Sequence, residues 1–450
     1  MRVSVTLAAL GSARQSNKFL GVSNNLIDAG DGAAVEIQLE SVGEMYRASH
    51  ALAVGSPAQH LPCIFDTGSF DVLTFSQRCL GDCSYQSDPE ESYNPEKSKS
   101  FDGFSTVRLQ QDGDIRDHLM MMSFGQGDCA VLPAHEQVQI EGSGGTLKAS
   151  SMPIMEGVWA QDSFRTLMDS HVTAVVGLGK SRKPGVESDP TEGPTLLEEL
   201  KVDTFSMCYG LNEAPGYLLL NDPVFQGGAS PAEAVEAEVI GNVHWGVGLS
   251  GIKMGEKTVG CGGNRCAAIV DSGTSVLMLP RSTVLAIMQE VEKHEIGKHC
   301  EGAEALPNLE FAIEGPSGSQ LLSLPPSVYM VHMEGEVPSN EVGESILQMT
   351  RQPATTHVSA CLPTVMPSDR DTDFGPLAIL GLPMFQQYIV SFHPQPNPWK
   401  MHFRPAAKAG KCITGAPQSV LEGGITGRVR RVDPSKLPMP RWSAGAKVVM

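Results

Sequence analysis

An all-β protein built of two homologous lobes is what this sequence predicts, and three observations carry the prediction. First, 47 glycines and 31 prolines punctuate 450 residues, a density that favours many turns and short strands over long helices. Second, Phe-Asp-Thr-Gly-Ser at residues 65–69 is echoed by Val-Asp-Ser-Gly-Thr-Ser at 270–275. Third, each copy is followed at nearly the same interval by an apolar-apolar-Gly run: 111 residues separate Asp66 from Gly177, and 110 separate Asp271 from Gly381. One Asp-[Ser/Thr]-Gly carries little weight. Two copies in matched apolar settings, each with an equally spaced partner, point to a duplicated unit. The expected units are an N-terminal lobe over residues 35–205 with Asp66 and a C-terminal lobe over 206–405 with Asp271, the site lying in the cleft between them.

Taken in order, the chain opens with Met1, Arg2, an apolar run over 3–10 and small residues at 11–13, the arrangement of a short secretory signal over 1–13. A short pro-like segment over 14–34 follows. Apolar runs at 61–65 and 267–270 lead as strands into the two Asp turns. Further strand patterns occupy 137–140, 205–209, 217–220 and 388–392. Helical patterns are few: 195–200, and 282–292 with Ser282 as N-cap. Segments 84–100 and 180–194 are polar and rich in proline and charge, and read as exposed loop insertions. The basic tail, 406–450, reads as disordered. No run approaches the roughly 20 apolar residues that span a bilayer.

Charge and cysteine usage bound the function. Lys408, Lys411, Arg428, Arg430, Arg431, Lys436, Arg441 and Lys447 against Glu422 and Asp433 give the tail +6, which leaves −24 on residues 1–407. Such a body repels nucleic acid and anionic lipid and suits an acidic compartment. Among the ten cysteines two pairs are close, Cys79 with Cys83 and Cys261 with Cys266. They suit small disulfide-closed turns in an oxidising compartment, with a four-thiolate zinc site as the alternative. Cys300 and Cys361 could form a third bridge, leaving Cys63, Cys129, Cys208 and Cys412 as buried thiols or an extra pair. No Asn-x-Ser/Thr acceptor for glycosylation occurs.

Two carboxylates on glycine-containing turns, one per lobe, form an arrangement suited to general acid/base hydrolysis without metal or cofactor. Gly68 and Gly273 let the backbones come close. Asp66 and Asp271 can then share one proton, because like charges a few ångströms apart do not both ionise. The ionised member takes a proton from a water that attacks an amide carbonyl, while the protonated member hydrogen-bonds the carbonyl oxygen. Thr67 and Ser272 are placed to tie each turn to the backbone of the opposite lobe, and Ser69 and Thr274 to hydrogen-bond the outer carboxylate oxygens.

On these residues the chain resembles the pepsin-like (A1) aspartic endopeptidases across about residues 35–405. The match comprises residues 65–69 and 268–275 and the apolar-apolar-Gly motifs at 175–177 and 379–381; the Asp-Ser-Gly of the second lobe is similar to the plasmepsin-type branch. The resemblance implies the bilobal fold of that family, with each apolar-apolar-Gly strand threading the loop that bears the Asp. It also implies a peptide or protein substrate, a monomer, and disulfides 79/83, 261/266 and 300/361, which strengthens the secretory reading, secreted or in an acidic vacuole. Residues 123–128 resemble the family's flap, with Phe124 and Gly125 at its tip. The usual flap tyrosine is matched by Phe124 and the usual tryptophan partner by Leu73, so an apolar contact replaces a hydrogen bond. Leu382 stands where the family commonly has Asp, which implies an adjustment of the fold there.

Other motifs are bland. His294 and His299 do not align on one helix face, so solvated charge outweighs a metal cluster there. No Gly-x-Ser-x-Gly elbow and no Gly-x-Gly-x-x-Gly fingerprint is present. Arg428 to Arg431 suit a processing site or a tail that docks on the acidic body. The rival to an endopeptidase is a catalytically silent peptide-binding protein of the same fold, suggested by Phe124 and Leu73.

Overall fold

The computed structural model describes residues 32–81, 83, 91–103, 119–124, 127–161, 164–180, 194–211, 214–225, 230–336, 357–394, 399–409, 412 and 431–432. The signal reading of 1–13, nearly all of 14–34, Gly125 and most of the tail lie outside the described residues. The fold is all-β and bilobal. Strands gather into a 13-stranded, a 9-stranded and a 3-stranded sheet.

The same local topology occurs twice. Strand Gln59–Asp66 pairs in parallel with Ala174–Gly177, which pairs antiparallel with Val72–Gly81. In the other lobe Cys266–Val270 pairs in parallel with Gly375–Leu380, which pairs antiparallel with Leu277–Pro280. Both Ala174–Gly177 and Cys266–Val270 are buried along their whole length, as strands covered on both faces must be, and their sequences are unbroken apolar runs. Strands with one wet face alternate instead: in Val35–Val42, Val35, Ile37 and Leu39 are buried and Glu36, Gln38 and Glu40 are not.

The two lobes share one sheet. From its edge, the 13-stranded sheet runs through Val235–Glu238, Lys400–Pro405, Tyr388–His393, Phe205–Cys208, Gly216–Leu220 and Val35–Val42 before entering the strands around Asp66. Phe205 stacks on Phe392 with ring centroids 4.6 Å apart, and both meet Trp245 edge-on, so an aromatic core lies between the lobes beneath the cleft.

Several elements differ from the sequence reading. The long helix is Arg281–Val291 with Pro280 in the capping position and no side-chain cap, so Ser282 lies inside the first turn. Proline's fixed φ starts the helix without a hydroxyl. Within 84–100, Tyr93 is wholly buried and donates to Glu136 (2.7 Å), because a polar segment can anchor by one ring on the sheet beneath. Lys180, at the start of the other expected exposed loop, is 0% exposed. The described part of the tail includes Arg431–Val432, a short strand parallel to His332–Met333.

Disulfides join Cys79 to Cys83, Cys261 to Cys266, Cys300 to Cys361 and Cys208 to Cys412, and Cys63 and Cys129 remain as buried thiols. Each close pair is closed on itself, so its thiolates are not available to a zinc ion. No helix among the described residues is long and apolar enough to cross a membrane.

Candidate active site

Each Asp sits where a strand ends in a turn that a second strand passes through. Leu178 N–H donates to Asp66 C=O (2.7 Å) and Asp271 N–H to Leu380 C=O (3.1 Å). The glycines of the passing strands have no room for a side chain. A Cβ on Gly177 would lie 2.4 Å from the Phe70 carbonyl carbon, and one on Gly381 would lie 2.2 Å from the Thr274 carbonyl oxygen. The apolar-apolar-Gly pattern therefore reflects a steric demand of the threaded loop.

The turns themselves are mirror partners. Gly68 N–H donates to Asp66 Oδ1 and Gly273 N–H to Asp271 Oδ1, each at 2.8 Å. A Cβ on Gly68 would meet Asp271 Oδ1 at 2.6 Å, and one on Gly273 would meet Asp66 Oδ1 at 2.5 Å. Each carboxylate thus faces the bare glycine of the opposite turn. Only two glycines allow that approach.

Crossed hydroxyls lock the pair. Thr67 Oγ1 donates to Val270 C=O (2.9 Å) and accepts from Ser272 N–H (2.9 Å). Ser272 Oγ donates to Phe65 C=O (2.8 Å) and accepts from Thr67 N–H (3.0 Å). The outer oxygens are treated differently in the two lobes. Thr274 Oγ1 donates to Asp271 Oδ2 at 2.6 Å, whereas Ser69 Oγ is buried with no hydrogen-bond partner among the described residues. The expected Ser69 contact is therefore not made; this hydroxyl sits on the segment where Ser69 C=O accepts from Gly179 N–H (2.8 Å).

Asp271 is held well above the ordinary aspartate value of 3.8, first by burial, then by the Asp66 charge and a hydrogen bond with the Asp66 carboxyl. His244 lies at the edge of the Asp66 turn, its ring 5.2 Å from that of Phe70. Burial pushes its imidazole down to about 4, against the opposing pull of Asp66 and with help from the Lys180 charge. Its Nδ1 is buried without a hydrogen-bond partner among the described residues. No residue count or motif marks His244 in the sequence.

Further support was also invisible to the motifs. Tyr209 stacks on Tyr46 (4.2 Å, 9° between planes) and donates to Ser272 C=O (3.1 Å), while Tyr46 donates to Gly210 C=O (2.5 Å). Leu382 is buried, and its N–H donates to Thr274 C=O (2.8 Å).

Phe124 ends strand Met120–Phe124 and is half-buried against an apolar cluster that includes Leu73 and Phe75. Its ring meets Phe164 edge-on at 5.8 Å, and Phe164 meets Phe75 at 5.7 Å. Phe164, which the sequence reading passed over, is therefore the ring on which Phe124 leans. Gly125 lies outside the described residues.

Residues 48–393 match the model of the family described as eukaryotic aspartyl protease. The chain is 22% identical over 351 residues to Plasmepsin VI of Plasmodium berghei (strain Anka), covering 76% of this chain and 71% of that protein. It is 24% identical over 304 residues to Pepsin A of Sus scrofa, covering 66% and 71%. Pregnancy-associated glycoprotein 1 of Ovis aries is 25% identical over 297 residues, covering 62% and 68%.

Proposed function

The chain belongs to the eukaryotic aspartyl protease family and is an aspartic endopeptidase, and from that premise we propose that Asp66 and Asp271 are its catalytic dyad. The observation that carries the reading is the mutual approach of each carboxylate to the glycine of the other turn. The two carboxyls share one proton and titrate as a unit, with burial and the Asp66 charge raising Asp271; in the reading proposed, Asp271 starts with that proton and Asp66 is the base. Asp66 removes a proton from the attacking water as its oxygen bonds to the amide carbon, and Asp271 donates its proton to the carbonyl oxygen. The resulting diol collapses as the proton held on Asp66 passes to the leaving amine and Asp271 recovers its own.

Substrate binds extended across the interlobe cleft, with apolar residues beside the cut bond facing half-buried Phe124, which packs on the buried side chains of Leu73, Phe75 and Phe164. Four disulfides favour synthesis in an oxidising compartment, and the acidic body favours work at low pH, which together support a secretory or acidic vacuolar location.

The test is a pH-rate profile on a mixed peptide pool with products identified by mass. Turnover rising toward acidic pH, and abolished in Asp66→Asn and Asp271→Asn, is the expected result. Binding of peptides without cleavage at any pH from 3 to 7 would favour the silent peptide-binding protein instead.

A further inference from the structure

We propose that Lys180 is a positioning residue for the hydrolysis, the buried half of a clamp that sets one carboxylate turn against the other independently of Thr67 and Ser272. The inference rests on the dyad reading above.

The segment directly beyond the threading glycine, residues 178–180, crosses to the lobe that bears Asp271. Lys180 is 0% exposed. Its Nζ donates to Gly241 C=O (3.0 Å) and lies 4.1 Å from the centroid of the Trp399 ring. Gly241 has φ +73°, a left-handed turn, and the chain runs from it through His244 and Trp245 into strand Gly246–Met254. That strand pairs with Cys266–Val270, whose end leads to Asp271.

Hydrogen bonds run back the other way. Trp245, also wholly buried, donates from Nε1 to Leu178 C=O (2.8 Å). Leu178 N–H donates to Asp66 C=O (2.7 Å), and Val270 N–H donates to Trp245 C=O (2.9 Å). Asp66, Leu178, Trp245 and Val270 are thus linked by three hydrogen bonds into one relay that ends beside Asp271. Lys180 fastens the start of the segment that carries Trp245. His244 is held between, against Phe70.

Desolvating an ammonium is costly, and a packed apolar side chain of the same length is often as good or better for folding. What the ammonium supplies and an apolar stem does not is a directed tie to Gly241 C=O. Dyad chemistry depends on carboxylates placed to a fraction of an ångström, and a displacement of about 1 Å can cost about 100-fold in rate.

Lys180→Met keeps the stem and removes the ammonium; Trp245→Phe keeps the ring core and removes the donor to Leu178. With a short peptide substrate, each is expected to lower kcat about tenfold with KM within about twofold of the parent. The double variant should be no slower than the slower single, because Lys180 acts through the segment that carries Trp245. A kcat at the parental level in either single variant overturns the proposal, as does a loss confined to KM or to thermal stability, or strictly multiplicative losses in the double. If Lys180→Met fails to fold, Trp245→Phe carries the same kcat and KM test. Asp66→Asn in the same assay separates the two readings: turnover surviving there sinks the dyad, whereas a normal Lys180→Met beside a dead Asp66→Asn sinks only the clamp.

Discussion

A side chain on Gly68 would begin 2.6 Å from Asp271 Oδ1, so the smallest residue of one turn is a wall of the other turn's carboxylate site. Gly68→Ala should therefore fold with its lobes forced apart and lose most activity, at least about 100-fold in kcat. Gly273→Ala, whose Cβ would meet Asp66 Oδ1 at 2.5 Å, should behave alike. Kinetics on a short peptide, with circular dichroism to verify folding, checks both.

Thr67→Val removes the hydroxyl that bridges Val270 C=O and Ser272 N–H while nearly preserving volume. A buried group left without its partner costs about 1–3 kcal/mol. The variant should unfold at lower denaturant with an unchanged slope, and lose activity in proportion to the misplacement of Asp66.

Asp271 gives stability a definite pH sign. A carboxyl whose folded value is raised contributes stability that is complete below the unfolded value, 3.8, and is lost as pH rises through the folded value. The melting temperature should fall over that window, and hydrolysis should fade with it as the shared proton leaves. Asp271→Asn should flatten the thermal profile over the same range.

His393 and His402 act in the opposite sense. They are hydrogen-bonded to each other (2.9 Å) and buried near Glu236 on the shared sheet. Burial, aided by the neighbouring His402, pushes His393 from 6.5 down to about 4, and burial likewise lowers His402 against the pull of Glu236. Their contribution is complete above pH 6.5 and declines as pH falls through the folded value. His393→Gln should shrink the loss of melting temperature between pH 6.5 and 4.

Phe164→Ala removes the ring shared by Phe124 and Phe75. The expected cost is about 3–5 kcal/mol in stability. KM should rise more than kcat falls, since the strand ending in Phe124 loses its seat while the dyad does not. Phe124→Tyr should leave turnover nearly unchanged, because buried Leu73 offers a new hydroxyl no partner.

The dyad was legible because threading imposes glycine twice, at Gly177 and Gly381, and the two carboxylate turns repeat the same short pattern. The clamp was not. Lys180 begins a polar, proline-rich run, and sequence alone assigns such a run to solvent; only the position of Gly241 and Trp399 in the other half of the chain makes a buried ammonium possible. Tyr93 was hidden for the same reason, its partner Glu136 lying 43 positions away. The Cys208–Cys412 bond spans 204 residues, and spacing says nothing about so distant a pair. Ser69 erred the other way: its match to Thr274 in motif does not extend to its hydrogen bonding.

Threading has a consequence for biosynthesis. Asp66 is enclosed only by Gly177, 111 residues later, and Asp271 only by Gly381, 110 residues later. A nascent chain therefore leaves the ribosome with each acidic loop still open, and contacts of such long range form slowly. The second loop cannot close until strand Gly375–Leu380 and Gly381 have been translated, so truncated chains ending before residue 381 should lack peptidase activity.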